Sequence, residues 1–287
     1  MPAFQQVYFS INMLRTVSPA LEALHKDLSN IKLYKIKKKN VSRLEFKNKI
    51  VLNDISYKYP TANQKTLDQI NISIDVGSAI GILGKTGSSK TTLVDVILGL
   101  LKPDQGELII DNKKINIDNI RSWQNCLGYI PQQIYLSDDT IASTIAFGEN
   151  ENDINYEKVI EVAKVANIHD FINSELNLKY QTKVGERGSN LSGGQRQRIG
   201  IARALYFNPK VLVMDEATNA LDTITEKKII SSILNLKEKK TIIFITHNIE
   251  IIKEFDQLII LEKGKITNYG SYSKLVRESR YLKASMN

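Results

Sequence analysis

The strongest constraint on the fold lies between residues 79 and 101. A short apolar run, Ala79–Leu83, is followed without a break by Gly84-Lys85-Thr86-Gly87-Ser88-Ser89-Lys90-Thr91, and then by a helical pattern over 91–101. A strand that enters a helix through a glycine-rich turn points a row of backbone N–H groups and a helix N-terminus at one spot, where phosphate oxygens are well held. Lys90 is placed to reach the outer phosphates of a nucleotide, and the Thr91 hydroxyl to ligate Mg²⁺. Ser89 stands where this type of loop ordinarily carries glycine. If its backbone needs a positive φ, serine costs about 1 kcal/mol of strain there.

The rest of the chain sets this unit in a larger frame. Short β-type runs at 50–57 and 70–74 precede the loop, with Asp75-Val76-Gly77 as a turn, and further β-runs lie at 211–214, 241–245 and 257–261. Residues 141–206 are helical in pattern, with loops at 148–153 and 185–190. Strands alternating with helices imply an α/β fold with a mainly parallel sheet covered on both faces. The first 34 residues have apolar positions Phe4, Val7, Tyr8, Ile11, Leu14, Val17, Leu21, Leu24 and Leu28 at helical spacing, with Pro19 marking a break or a new helix start. The basic stretch 35–45 reads as a linker and 46–287 as the main domain.

Composition narrows the setting. At 287 residues, 42% hydrophobic and 24% charged, the chain has material for a full core. No apolar run approaches the roughly 20 residues of a spanning helix, and the start lacks a secretory pattern. The single cysteine, Cys126, excludes an internal disulfide and suits a reducing compartment. A cytoplasmic location, at most touching a membrane, is expected. The net charge of +8 suits nucleic acid, anionic lipid or nucleotide alike and decides nothing by itself.

Two further motifs carry chemistry. The apolar run 211–214 ends in Asp215-Glu216, where Asp215 can hold Mg²⁺ through water and Glu216 can polarise an attacking water. Between the phosphate loop and this pair stands Leu191-Ser192-Gly193-Gly194-Gln195. Ser192 and Gln195 form a capping box at a helix start, and Gly193-Gly194 permit another backbone to approach closely.

In that order the motifs resemble the ATP-binding cassette (ABC) ATPases, over about residues 46–280. The resemblance implies a phosphate-loop NTPase (RecA-like) core with a mainly parallel sheet, an N-terminal antiparallel β subdomain and a helical subdomain at about 135–206. It implies two MgATP sealed head to tail between two such domains, with the nucleotide contacts of the phosphate loop running on to Thr92. Ser192, Gly193, Gly194 and Gln195 would contact the γ-phosphate held by the opposite subunit. Tyr59 matches the aromatic that stacks on adenine, and Gln132, with Gln133 next to it, the glutamine that senses Mg²⁺ and couples to the membrane domain. Ala220-Leu221-Asp222 matches a loop that crosses to the partner, and His247 the histidine on the γ-phosphate.

Residues 184–188 resemble the cross-loop of exporters, and residues 1–34 the end of an exporter's last transmembrane helix. The N-terminal helix and the wording around 94–107 most resemble bacterial lipid-linked oligosaccharide or polysaccharide flippases. These likenesses imply a second cassette, most simply an identical one, and a membrane domain fused upstream or separate. They place the chain on the cytoplasmic side of the plasma membrane, with no nucleic acid partner. A soluble cassette acting on nucleic acid, an importer subunit and a cassette that binds ATP only for regulation are the alternatives.

Overall fold

The computed structural model describes residues 2–30, 41–246, 248–279 and 282. The chain divides into two units, Met1–Asn40 and Val41–Asn287.

The described part of the first unit is one helix, α1 (Pro2–Asn30), with Pro19 inside it. The break expected at Pro19 does not occur. Proline removes one N–H and crowds one carbonyl, a cost of about 3 kcal/mol, and the good helix formers that follow (Ala20, Leu21, Glu22, Ala23, Leu24) carry the helix through. Its apolar positions are exposed, Phe4 at 84% and Leu14 at 72%. Residues 31–40, and most of the expected linker with them, lie outside the described residues.

The second unit begins earlier than the sequence suggested. Val41–Glu45 were expected in the linker, yet Leu44 N–H donates to Ser122 O at 2.9 Å, and Asn125 Nδ2 to Val41 O at 2.8 Å. The buried Cys126 thiol donates to Leu44 O, 3.2 Å away.

Two sheets organise this unit. The first holds β1 (Lys49–Tyr57), β2 (Leu67–Asp75), β4 (Gln105–Ile110) and β5 (Lys113–Lys114) in the order β2-β1-β4-β5, all antiparallel. The second runs β10-β9-β3-β8-β7-β6, from β3 (Ala79–Leu83), β6 (Leu127–Ile130), β7 (Val211–Asp215), β8 (Thr241–Ile245), β9 (Gln257–Glu262) and β10 (Lys265–Gly270). All its pairs are parallel except β9 with β10. Every residue of β3, β7 and β8 is buried, which is why those strands read as unbroken apolar runs rather than alternating ones.

Helices cover the second sheet. Those after α1 are α2 (Lys90–Ile97), α3 (Ile120–Gln124), α4 (Ile141–Ile145), α5 (Tyr156–Val165), α6 (His169–Glu175), α7 (Gly193–Tyr206), α8 (Thr223–Leu234), α9 (Ile249–Ile252) and α10 (Tyr272–Glu278). Helices α4 to α7 form the expected helical region, and its two expected loops each contain a 3₁₀ turn, at Glu151–Asp153 and Glu186–Gly188. Helix α2 stops four residues short of the expected end. Gly99 adopts φ 67°, a left-handed conformation that terminates a helix, and Leu98 and Gly99 bond back to Val94 and Val96. No helix among the described residues is long and apolar enough to cross a membrane.

Parallel packing has a consequence for placement. The loop after β3, the segment after β6 and the acidic end of β7 all leave the carboxyl ends of parallel strands in one sheet. That edge is where α/β sheets collect ligand-binding groups.

Candidate active site

At this edge a cleft of about 550 Å³ is lined by Thr66, Thr86, Gly87, Ser89, Lys90, Thr91, Thr92, Gln132, Asp215 and Glu216. Its size suits a nucleotide-sized ligand. Residues far apart in sequence meet here as the motifs predicted. Thr91 Oγ1 donates to Asp215 Oδ2 at 3.2 Å, joining the loop to the end of β7. Gln132 Nε2 donates to Glu216 Oε2 at 2.8 Å, joining the end of β6 to the same corner. Of the two neighbouring glutamines, Gln132 is among the residues lining the cleft and Gln133 is not.

The backbone of the phosphate loop depends on glycine and is held by Lys90. Gly84 has φ 154°, and a Cβ there would lie 2.3 Å from Leu261 O and 2.5 Å from Ser88 Oγ, so only glycine fits. Lys90 is buried; its Nζ donates to Gly84 O at 2.9 Å and Lys85 O at 3.2 Å, within its own loop. Burial pushes the Lys90 ammonium down from its ordinary pKa, while the Glu216 and Asp215 charges hold it up. Ser88 Oγ is buried without a hydrogen-bond partner among the described residues. Ser88 is not itself among the residues lining the cleft, but a buried hydroxyl without a partner, in a loop that leads into a helix N-terminus and carries the Lys90 ammonium, fits a phosphate group that can accept its bond.

The donor set beside the loop fits Mg²⁺ as well. Burial pushes the Asp215 carboxyl up; the Thr91 hydroxyl opposes this, and the Glu216 and Asp95 charges add to it. A buried carboxylate beside a hydroxyl and an amide oxygen is a hard, all-oxygen set. Mg²⁺ ordinarily takes one or two such carboxylates and completes its shell with substrate phosphate and water.

Ser89 does adopt the left-handed backbone, with φ 79° and ψ 25°, so the strain inferred from sequence is present. Ser89→Gly is expected to gain about 0.5–1 kcal/mol, the left-handed penalty less the backbone entropy of glycine, and to raise the melting temperature by about 1–3 °C. Ser89→Ala keeps the penalty and should melt at or below the parent. A lower melting temperature for the glycine variant would show that the serine side chain contributes contacts worth more than its strain.

Other predicted residues lie nearby or elsewhere. Tyr59 is half-buried at the margin, its hydroxyl 3.4 Å from Thr92 Oγ1 and its ring edge-on to Tyr57. Lys85 is exposed on the loop. His247 lies outside the described residues. The capping box forms as expected: Ser192 Oγ accepts from Gln195 N–H at 3.2 Å, and Ser192 N–H donates to Gln195 Oε1 at 2.7 Å. A Cβ on Gly194 would lie 3.3 Å from Ala220 O and from Leu221 Cδ2, so the glycine pair admits the loop after β7 to the helix start. Ser192, Gly193, Gly194 and Gln195 are not among the residues lining the cleft. In the expected crossing loop, the Asp222 carboxylate caps α8, accepting from Thr225 N–H at 2.9 Å.

Two participants escaped the sequence reading. Thr66 lines the cleft from the residue just before β2, and Asn219 Nδ2 donates to Glu216 Oε2 at 3.0 Å. A donor amide three residues beyond the acid was the available signal for the second; nothing in sequence marks the first.

Comparison with known proteins agrees with this geometry. The ABC transporter family profile matches residues 67–219, just over half of the chain. The alpha-hemolysin translocation ATP-binding protein HlyB of Escherichia coli is 39% identical over 238 residues, 83% of this chain and 33% of that protein. The leukotoxin export ATP-binding protein LtxB of Aggregatibacter actinomycetemcomitans is 37% identical over 243 residues, 85% of this chain and 34% of that protein. The chain thus spans about a third of the length of these relatives. A solved bacterial Atm1-family ABC exporter with ATP bound superposes with a TM-score of 0.83 at 30% identity, covering 98% of this chain and 50% of that one. With its phosphate loop, its signature helix (α7, headed by Leu191–Gln195) and the acidic end of β7 in this arrangement, the chain belongs to the ABC transporter family, as an ATP-binding ATPase domain similar to those of the exporters just named.

Proposed function

We propose that this domain hydrolyses ATP in a cleft completed by a second copy, and that the cycle of closing and opening drives export through a membrane domain. The observation that carries this reading is the division of the motifs. Lys90, Thr91, Gln132, Asp215 and Glu216 line one cleft, while the start of α7 at Ser192–Gln195 contributes nothing to that lining. A head-to-tail pair would bring each helix start over the other subunit's cleft.

In this reading Lys90 and the loop N–H groups hold the phosphates, with the Ser88 hydroxyl donating to one of their oxygens. Tyr59 meets the base, and His247 the terminal phosphate. Thr91 and Asp215, with Gln132, would hold Mg²⁺, which supplies charge neutralisation at the phosphates when bound. Glu216 orients the attacking water through its carboxylate. The partner's signature helix adds donors at an N-terminus, where anionic charge is stabilised. Most of the rate comes from positioning and fixed electrostatics.

The relatives named for toxin translocation and leukotoxin export, and the solved exporter, support a membrane partner and a place at the cytoplasmic face of the plasma membrane. A lipid-linked oligosaccharide or polysaccharide cargo is the finer reading and rests only on the likeness of the N-terminal helix and of residues 94–107. Phosphate release per mole of purified chain should rise with chain concentration, in step with the monomer-to-dimer transition followed by light scattering. Full activity in a solution shown to be monomeric would overturn the two-chain cleft.

A further inference from the structure

We infer that Asn219 is a positioning residue for Glu216, setting the direction of its carboxylate for the attacking water. The inference rests on the reading of Glu216 given above. Glu216 sits on a left-handed backbone, φ 48°, and its N–H donates to Ile245 O at 3.0 Å, so its main chain is tied to the end of β8. That conformation throws the side chain out of the strand line and into the cleft. There, one oxygen, Oε2, accepts from two amides, Gln132 Nε2 at 2.8 Å and Asn219 Nδ2 at 3.0 Å. Two charge-assisted bonds to the same oxygen, from different segments, restrict rotation of the carboxylate plane and decide which edge it presents.

Asn219 can perform this because its neighbours are pinned. Thr218 is buried, and its Oγ1 donates to Glu226 Oε1 at 2.7 Å. Ala220 N–H donates to Oε1 of Gln197, a buried side chain of α7, at 3.0 Å. The turn itself is closed by Asn219 N–H on Glu216 O at 3.3 Å. An amide held between two fixed residues can aim another group; one on a loose loop cannot. The same connections make a continuous path from the signature helix, through Gln197, Ala220 and Asn219, to the Glu216 carboxylate.

The test uses the full chain. Asn219→Asp is isosteric but turns the donor into an acceptor facing Glu216, and Asn219→Ala removes the group. Both should lower kcat at least about tenfold while KM for ATP stays within about twofold and the melting temperature holds. The Asn219 side-chain amide resonance, recorded without nucleotide or metal, should shift on Glu216→Ala. If either variant keeps the parent kcat, or the resonance does not move, Asn219 has no positioning role. A parent chain that releases no phosphate would overturn the reading of Glu216 and this inference with it, whereas an active parent with unaffected variants overturns only Asn219.

Discussion

Glu216→Gln is expected to bind ATP with nearly the parent affinity yet release phosphate at least about 10²-fold more slowly. Glutamine matches glutamate in shape, and its carbonyl can still accept from Gln132 and Asn219, so the corner between β6 and β7 keeps its geometry. It loses the negative charge and the ability to draw a proton from water. Binding depends on Lys90 and the loop N–H groups, which this substitution leaves alone. If hydrolysis is what separates a closed pair, the variant should accumulate as dimers in MgATP, visible by sedimentation, while the parent cycles back to monomers. Turnover near the parent rate would remove Glu216 from the role given to it.

Lys90→Ala should act at the other end of the cycle and abolish tight binding. The ammonium holds Gly84 O and Lys85 O, so its loss deprives the loop of two bonds and the cleft of its buried cation. Charge-assisted bonds contribute about 1.5–3 kcal/mol each, so the loss of two predicts an ATP affinity roughly 10²–10⁴-fold weaker. A fluorescent ATP analogue titrated into both proteins measures this directly. Comparable dissociation constants would mean that backbone N–H groups alone hold the phosphates. Taken together, the two variants separate capture from chemistry: one should fail to load, the other to fire.

Much of this site was legible before any coordinates, because its parts are short segments whose chemistry is local. The phosphate loop and the capping box of α7 each need only a few adjacent residues, and both form where spacing placed them. The buried strands β3, β7 and β8 also stood out as unbroken apolar runs. Strands β4, β5, β6 and β10 were missed, and the last two show why. β6 is four residues long, and β10 is a polar edge strand whose Lys265, Thr267 and Tyr269 face outward. In both, pairing with a distant neighbour, not local pattern, makes the strand. Pro19 misled in the opposite direction, since one poor residue in a run of good helix formers did not outweigh its neighbours. Asn219 was missed for another reason: its spacing from the acid was the only signal, a loop amide has no periodicity, and its partner becomes apparent only once β7 and the following turn are folded.

The chain's only tryptophan adds a mechanical consequence. Trp123 is fully buried, edge-on to Phe46 at 5.9 Å, and its indole N–H donates to Ile97 O at 2.8 Å, the last residue of α2. The opposite tip of that eight-residue rod begins at Lys90, about 12 Å away at the usual helical rise. A push on the rod where the anion docks therefore meets a clamped heel, and the strut recoils little.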